Sequence, residues 1–220
     1  MNEIKERPII FSSEMVRAIL NNRKSQTRRI IKPQPIDILP MKVPNEWVTL
    51  DTINPHHGKI IKCPYGIPGD ILWVRETWCP VDDTEYDGEK WVDYSATPRY
   101  AEPGVSHPAG WENSPDDDLG ALHWRPSVFM PRWASRITLE IINVCAERVQ
   151  DISEEDAKAE GIDVLKVNVP DPESGFNVGD PLESYRDVFA WYWNKLNAKR
   201  GFGWDNNPFV WCISFKIMGY

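Results

Sequence analysis

Apolar and polar positions alternate in a few well-marked stretches of this chain and lose all period in others. Pro8 to Phe11 reads as a short strand. Ser12 or Ser13 can cap a helix after it, in which Met15, Ala18, Ile19 and Leu20 give one apolar face and Asn21-Asn22 supply the stop. A polar turn, Arg23-Lys24-Ser25-Gln26, leads into a strand from Thr27 to Ile31 that Pro33 and Pro35 end. The stretch that follows is irregular. Pro68-Gly69-Asp70 then signals a turn into a β-rich run from Ile71 to Trp78. Ile137 to Val149 alternates as a long strand with Ile137, Leu139 and Ile141 on one side. Ser153 and Asp156 form a capping box for a short helix that Gly161 ends. Leu182, Tyr185, Phe189, Tyr192 and Leu196 recur at helical spacing over 181–197, and Phe209, Trp211, Ile213, Phe215 and Ile217 mark a closing strand.

Short strands, a few helices and much loop imply an α+β class, built as a small barrel with flanking helices. A chain of 220 residues with 41% hydrophobic content can bury one proper core, so a single domain over 1–220 is expected. Two long aperiodic insertions interrupt it, at about 79–123 and 163–181.

The net charge of −8 is unevenly placed. Cys79 to His123 holds eleven acids against two bases, −9, which leaves +1 for everything else. Residues 1–32 carry eight bases and three acids, and Trp124 to Arg136 contains Arg125, Arg132 and Arg136 with no acid. Local basic patches therefore survive on an acidic protein. No apolar run reaches the roughly 18 residues of a membrane span, and MNEIKERPII has no signal-peptide core, so a cytoplasmic location is expected. Cys63, Cys79, Cys145 and Cys212 are widely spaced and read as reduced thiols. His56, His57, Cys63 and Cys79 fit no familiar zinc spacing, and neither a metal nor a cofactor is expected.

The densest polar cluster is Arg23-Lys24-Ser25-Gln26-Thr27-Arg28-Arg29. Taken alone it is a solvated basic turn. If a strand starts at Thr27, Thr27 and Arg29 point to one side and Arg28 to the other, and a tight turn brings Lys24 back toward Thr27. An amine, a hydroxyl and a guanidinium then converge. Glu160 closes its short helix, where the negative end of the dipole destabilises a charged carboxylate, so it needs a cationic partner such as Lys24 or Arg29. Arg75 shares a strand face with Ile71 and Trp73, which suits either a pocket or the surface. Most of the eleven tryptophans read as core, Trp73, Trp78, Trp193 and Trp211 among them. Trp124 and Trp133 interleave with Arg125, Arg132 and Arg136, the mixture that single-stranded nucleic acid sites use, although plain packing accounts for it as well.

Several blocks in order resemble the ASCH family of PUA-like domains. They are Lys24-x-x-Thr27-x-Arg29 after a helix, Pro68-Gly69-Asp70-Ile71-Leu72-Trp73-Val74, Asp151-Ile152-Ser153-Glu154 running to Ala159-Glu160-Gly161-Ile162, and the closing strand from Asn207 to Phe215. The blocks bracket nearly the whole chain, with the two insertions outside the compact pattern. The resemblance implies a small PUA-like barrel and, from the compact bacterial members that hydrolyse N(4)-acetylcytidine, catalytic roles for Lys24, Thr27 and Glu160. The longer form, with Cys63-Pro64-Tyr65-Gly66 before the turn and a Trp-rich middle, is similar to proteins encoded by phages and prophages, which would place it in a host cytoplasm.

Two function classes follow. The first is an amidohydrolase that removes an acyl group from the exocyclic amine of a cytosine nucleoside or related base. Lys24, Thr27 and Glu160 would be catalytic, with Arg29, Arg75, Trp124 and Trp133 binding the substrate. Lys24 would be a base if desolvated, or a charged stabiliser if held by Glu160. The second is a binding module for single-stranded RNA or a modified nucleotide. A nuclease ranks below both, because no metal-binding carboxylate cluster stands out. Truncating Lys24 or Thr27, in a polar turn, is expected to disturb folding little.

Overall fold

The strongest alternation in the sequence becomes the centre of the fold. The computed structural model describes residues 3–41, 45–50, 58–82, 90–98, 124–162 and 184–219. These form β1 (Glu6–Ile10), α1 (Ser13–Leu20), β2 (Gln26–Ile30), β3 (Asp37–Pro40), β4 (Trp47–Leu50), β5 (Lys59–Ile61), β6 (Ile71–Arg75), β7 (Trp78–Asp82), β8 (Lys90–Tyr94), β9 (Thr138–Arg148), α2 (Glu154–Ala159), α3 (Tyr185–Asn197) and β10 (Phe209–Gly219). The class is α+β, as the pattern predicts. A five-stranded sheet runs β1-β6-β9-β10-β2, with β1 and β6 parallel and the other pairs antiparallel.

Each face of this sheet has its own core. Leu72, Val74, Leu139, Ile141, Trp211, Ile213 and Phe215 pack on one face with Phe11 and with Val16 and Ile19 of α1. On the other face Val210 and Val149 pack with Ile152, Ala157, Phe189 and Trp193 beneath α2 and α3. Because the first half of β10 lies between the two layers, the side chains from Phe209 to Ile213 are buried on both faces, a pattern of central strands.

Five expectations need correction. The expected barrel does not close: among the described residues β1 and β2 remain edges. Arg29 Nη2 donates to the Ile10 carbonyl at 2.6 Å, so a long side chain spans a gap that backbone ladders, about 4.8 Å apart, do not. The β-rich run to Trp78 is two strands, broken where Glu76 turns inward. Its carboxylate takes a bidentate pair from Arg136, Nε to Oε1 and Nη2 to Oε2, both 2.9 Å. The irregular stretch before Pro68 contains the three-stranded sheet β3-β4-β5, whose strands of three or four residues are too short to show a period. The first insertion begins with a hairpin of β7 and β8, while 83–89 and 99–123 lie outside the described residues, as does the expected loop at 163–181. In α3 the buried stripe runs through Val188, Phe189 and Trp193, and Leu196 is 55% exposed. The Trp193 indole N–H donates to the Phe202 carbonyl at 2.8 Å, and Leu182 of the expected stripe lies outside the described residues. No helix among the described residues is long and apolar enough to cross a membrane.

Candidate functional site

The end of α1 and the end of α2 meet at the edge of the sheet, and local sequence dictates how. Asn22 adopts a left-handed φ of 55°, and the Arg23 and Lys24 N–H groups both turn back to the Ala18 carbonyl. Ser12 caps the start of α1 through the Met15 N–H, and Ser153 caps α2 through the Asp156 N–H. After Glu160 the chain leaves α2 through Gly161, at φ +81°. A Cβ there would lie 2.7 Å from Lys24 Cβ and 2.8 Å from Ala18 Cβ, so only glycine admits this approach. Lys24 and Glu160 then form an antiparallel bridge, and Ser25 donates to the Ala159 carbonyl at 2.9 Å.

The side chains of the bridge face each other. Lys24 Nζ donates to Glu160 Oε2 at 2.6 Å and to the Glu160 carbonyl at 2.9 Å. Arg28 Nη1 lies 3.4 Å from Oε1, so the carboxylate touches a cation through each oxygen. The Lys24 side chain is 0% exposed and that of Glu160 6%. Burial pulls the Lys24 ammonium below its ordinary pKa; the charge and hydrogen bond of Glu160 oppose this, and Arg29 and Arg28 reinforce it.

Strand alternation distributes the rest. Thr27 is buried opposite Ile213, and Arg29, two residues on, lies over the Phe11 ring at 5.1 Å. Lys24 Nζ is 5.7 Å from the same ring. Arg29 Nε is buried with no hydrogen-bond partner among the described residues. Burial works against the Arg29 charge, while Tyr65 and Glu160 help to hold it. On the opposite face Arg28 binds Glu147 Oε1 through Nε at 2.8 Å and Nη2 at 2.7 Å, with Gln26 Oε1 at 2.6 Å from Nη1.

The structure therefore brings Lys24 and Glu160 into contact across 136 residues, with Arg29 beside them and Thr27 on the same strand face. It does not leave the cluster as a solvated turn. Lys24, Gln26, Thr27 and Arg28 are buried, because Phe11 lies over one face of β2, α2 packs on the other and β10 pairs along its edge. Truncating Lys24 or Thr27 consequently opens space in packed surroundings, contrary to the expectation of little disturbance. Phe11 and Tyr65 belong to the site and carry no polar-cluster signal; Tyr65 lies forty residues away in the Cys63-Pro64-Tyr65-Gly66 segment.

The remaining substrate-binding candidates gather in a second cluster. Arg75 lies over Trp73 at 4.6 Å and donates to the Val128 carbonyl, away from the Leu72 and Val74 face. Arg132 approaches the same Trp73 at 6.0 Å. Trp133 meets the buried Trp78 edge-on at 6.0 Å, and Arg125 covers Trp78 at 5.4 Å. Trp124, Trp133 (56%) and Phe129 (70%) are exposed there. Trp73, Trp78, Trp193 and Trp211 are buried, as expected. His56 and His57 lie outside the described residues, and Cys63 sits in the main core, its thiol pushed up to about 11 by burial. Metal-ligand side chains converge elsewhere, at Cys145, Glu147 and Cys212.

No family model matches this chain, and no curated protein matches it. Among solved structures it is similar to the crystal structure of protein EF3133 from Enterococcus faecalis V583, family-model DUF984, with a TM-score of 0.41. The identity is 10%, over 100% of this chain and 84% of that one.

Proposed function

We propose that the Lys24–Glu160 cluster is the active site of an amidohydrolase that removes an acyl group from the exocyclic amine of a cytosine nucleoside or a related modified base. One observation carries this reading: a lysine and a glutamate, in the positions that the ASCH resemblance marks as catalytic, share a 2.6 Å hydrogen bond inside the protein. A proton crosses such a bond readily, so the pair can pass one to a leaving amine. Thr27 passes its hydroxyl proton to Glu160 as it attacks the acyl carbon, or holds a water that does the same, and the C–N bond breaks as Glu160 delivers that proton to nitrogen. Water supplies the oxygen of the released acid. Lys24 has three N–H donors, two of them engaged with Glu160, and Arg29 Nε is without a partner among the described residues. Both suit a developing oxyanion. Arg29 and Tyr65, each partly exposed, give the cluster its contact with solvent, and Phe11 offers an apolar ring beside it.

The test is a mass-spectrometric screen of the full chain against N4-acylated cytidines and other acylated nucleosides. Release of the free nucleoside together with the carboxylic acid supports the proposal, and an inert, folded protein across the panel removes it. A second reading, a module that binds single-stranded RNA, is favoured by the exposed Trp133 and Phe129 beside Arg125 and Arg132. In that case Trp133→Ala weakens RNA binding and the screen stays silent.

A further inference from the structure

The sequence places Cys145 and Cys212 sixty-seven residues apart, yet the β9–β10 ladder sets them directly opposite each other. Cross-strand partners project to the same face, here the face of Arg28 and α2. Glu147, two residues along β9, projects there too. The three ligand atoms all lie within 4.8 Å of one another, and Cys145 Sγ is 3.8 Å from Glu147 Oε2.

The carboxylate is held in a particular orientation. Arg28 takes Glu147 Oε1 through both Nε and Nη2, which leaves Oε2 turned toward the thiols. A tetrahedral zinc with Zn–S of about 2.3 Å and Zn–O of about 2.1 Å needs sulfurs roughly 3.8 Å apart and each sulfur roughly 3.6 Å from the oxygen. The observed spacing meets that requirement with small side-chain rotations. Two thiolates and one carboxylate are balanced by the charge of a divalent ion together with the Arg28 guanidinium, which would act as an outer partner fixing its ligand.

We propose that Cys145, Cys212 and Glu147 Oε2 form a binding site for a thiophilic divalent cation, best fitted by Zn2+, with a fourth position open to water. Cys145 and Glu147 are partly exposed and Cys212 is buried, so the ion enters from the β9 side. Binding releases the thiol protons. Arg28 also reaches Glu160, which puts this site one side chain from the Lys24 pair, although the inference does not depend on what that pair does.

The test uses the full chain, reduced and stripped by a chelator, titrated first with Co2+ and then with Zn2+. The expected result is a thiolate-to-cobalt charge-transfer band that saturates near one equivalent and is displaced by Zn2+. Cys145→Ser, at a partly exposed position, should remove most of the band, and Glu147→Gln should weaken Zn2+ binding at least about tenfold. Absence of the band in the reduced wild type overturns the proposal, as does unchanged binding in Cys145→Ser. A Cys145–Cys212 disulfide that persists in reductant, with no cation bound, overturns it as well.

Discussion

Replacing Glu160 by glutamine keeps its shape and removes its charge, which leaves the Lys24 ammonium in a site where its side chain is 0% exposed. Breaking a buried pair by removing one partner typically costs about 3–5 kcal/mol. Here the lysine itself sets a ceiling, because it can give up its proton. With an unfolded pKa of about 10.4, neutralising it costs about 4.6 kcal/mol at pH 7 and about 1.9 kcal/mol at pH 9. Burial already holds the folded Lys24 pKa below its ordinary value, and loss of Glu160 removes the largest opposing influence. Between the folded and unfolded values the unfolded chain binds more protons, so the stability of Glu160→Gln must rise with pH. Urea unfolding of wild type and variant at pH 7 and pH 9 should show a deficit of about 3–4.5 kcal/mol that narrows to about 2 kcal/mol or less. Adding Lys24→Met to the variant should recover more than half of the neutral-pH loss. A deficit below about 0.5 kcal/mol at pH 7, or one that does not narrow, would refute the claim that this ion pair is desolvated.

Two further outcomes follow from backbone conformation and local packing. Gly161→Ala forces a side chain into left-handed backbone and against Lys24 and Ala18, and should destabilise by about 2–4 kcal/mol in thermal or urea unfolding; Gly69→Ala, also at positive φ but with no atom within 4 Å of the added Cβ, should cost only about 1–2 kcal/mol. Asp70 has burial working to raise its pKa, but the Lys5 N–H, Arg7 and the Ile67 N–H outweigh it and hold the carboxyl below its ordinary value. That stabilisation is full above pH 3.8 and is lost as pH falls through the lower folded value, so Asp70→Asn should cost roughly 1–3 kcal/mol at neutral pH and little in strong acid.

The sequence made the strands of the main sheet legible because their alternation is strong, and Ile137, Leu139 and Ile141 are fully buried as that alternation implies. It did not reveal β3 to β5, which at three or four residues each are too short to carry a period, although Trp47 of β4 packs in the main core. The pairing of Lys24 with Glu160 was legible only through ordered motifs, since no local rule connects residues 136 apart. Their burial was hidden for a related reason: a run of charges looks solvated until Phe11, α2 and β10 are known to enclose it. The Cys145–Cys212 juxtaposition was invisible because it depends on register, and a shift of one residue in the β9–β10 ladder would place the two thiols on opposite faces.

The central claim, that Thr27 works with the Lys24–Glu160 pair to cleave an acylated exocyclic amine, is tested most directly by the rate of N(4)-acetylcytidine hydrolysis in wild type, Thr27→Ser and Thr27→Val. Valine keeps the volume of this buried residue and removes only the hydroxyl, so a folded Thr27→Val should lose at least about a hundredfold in kcat/KM while Thr27→Ser retains measurable turnover. Hydrolysis by Thr27→Val at the wild-type rate, or none by the folded wild type, would contradict it.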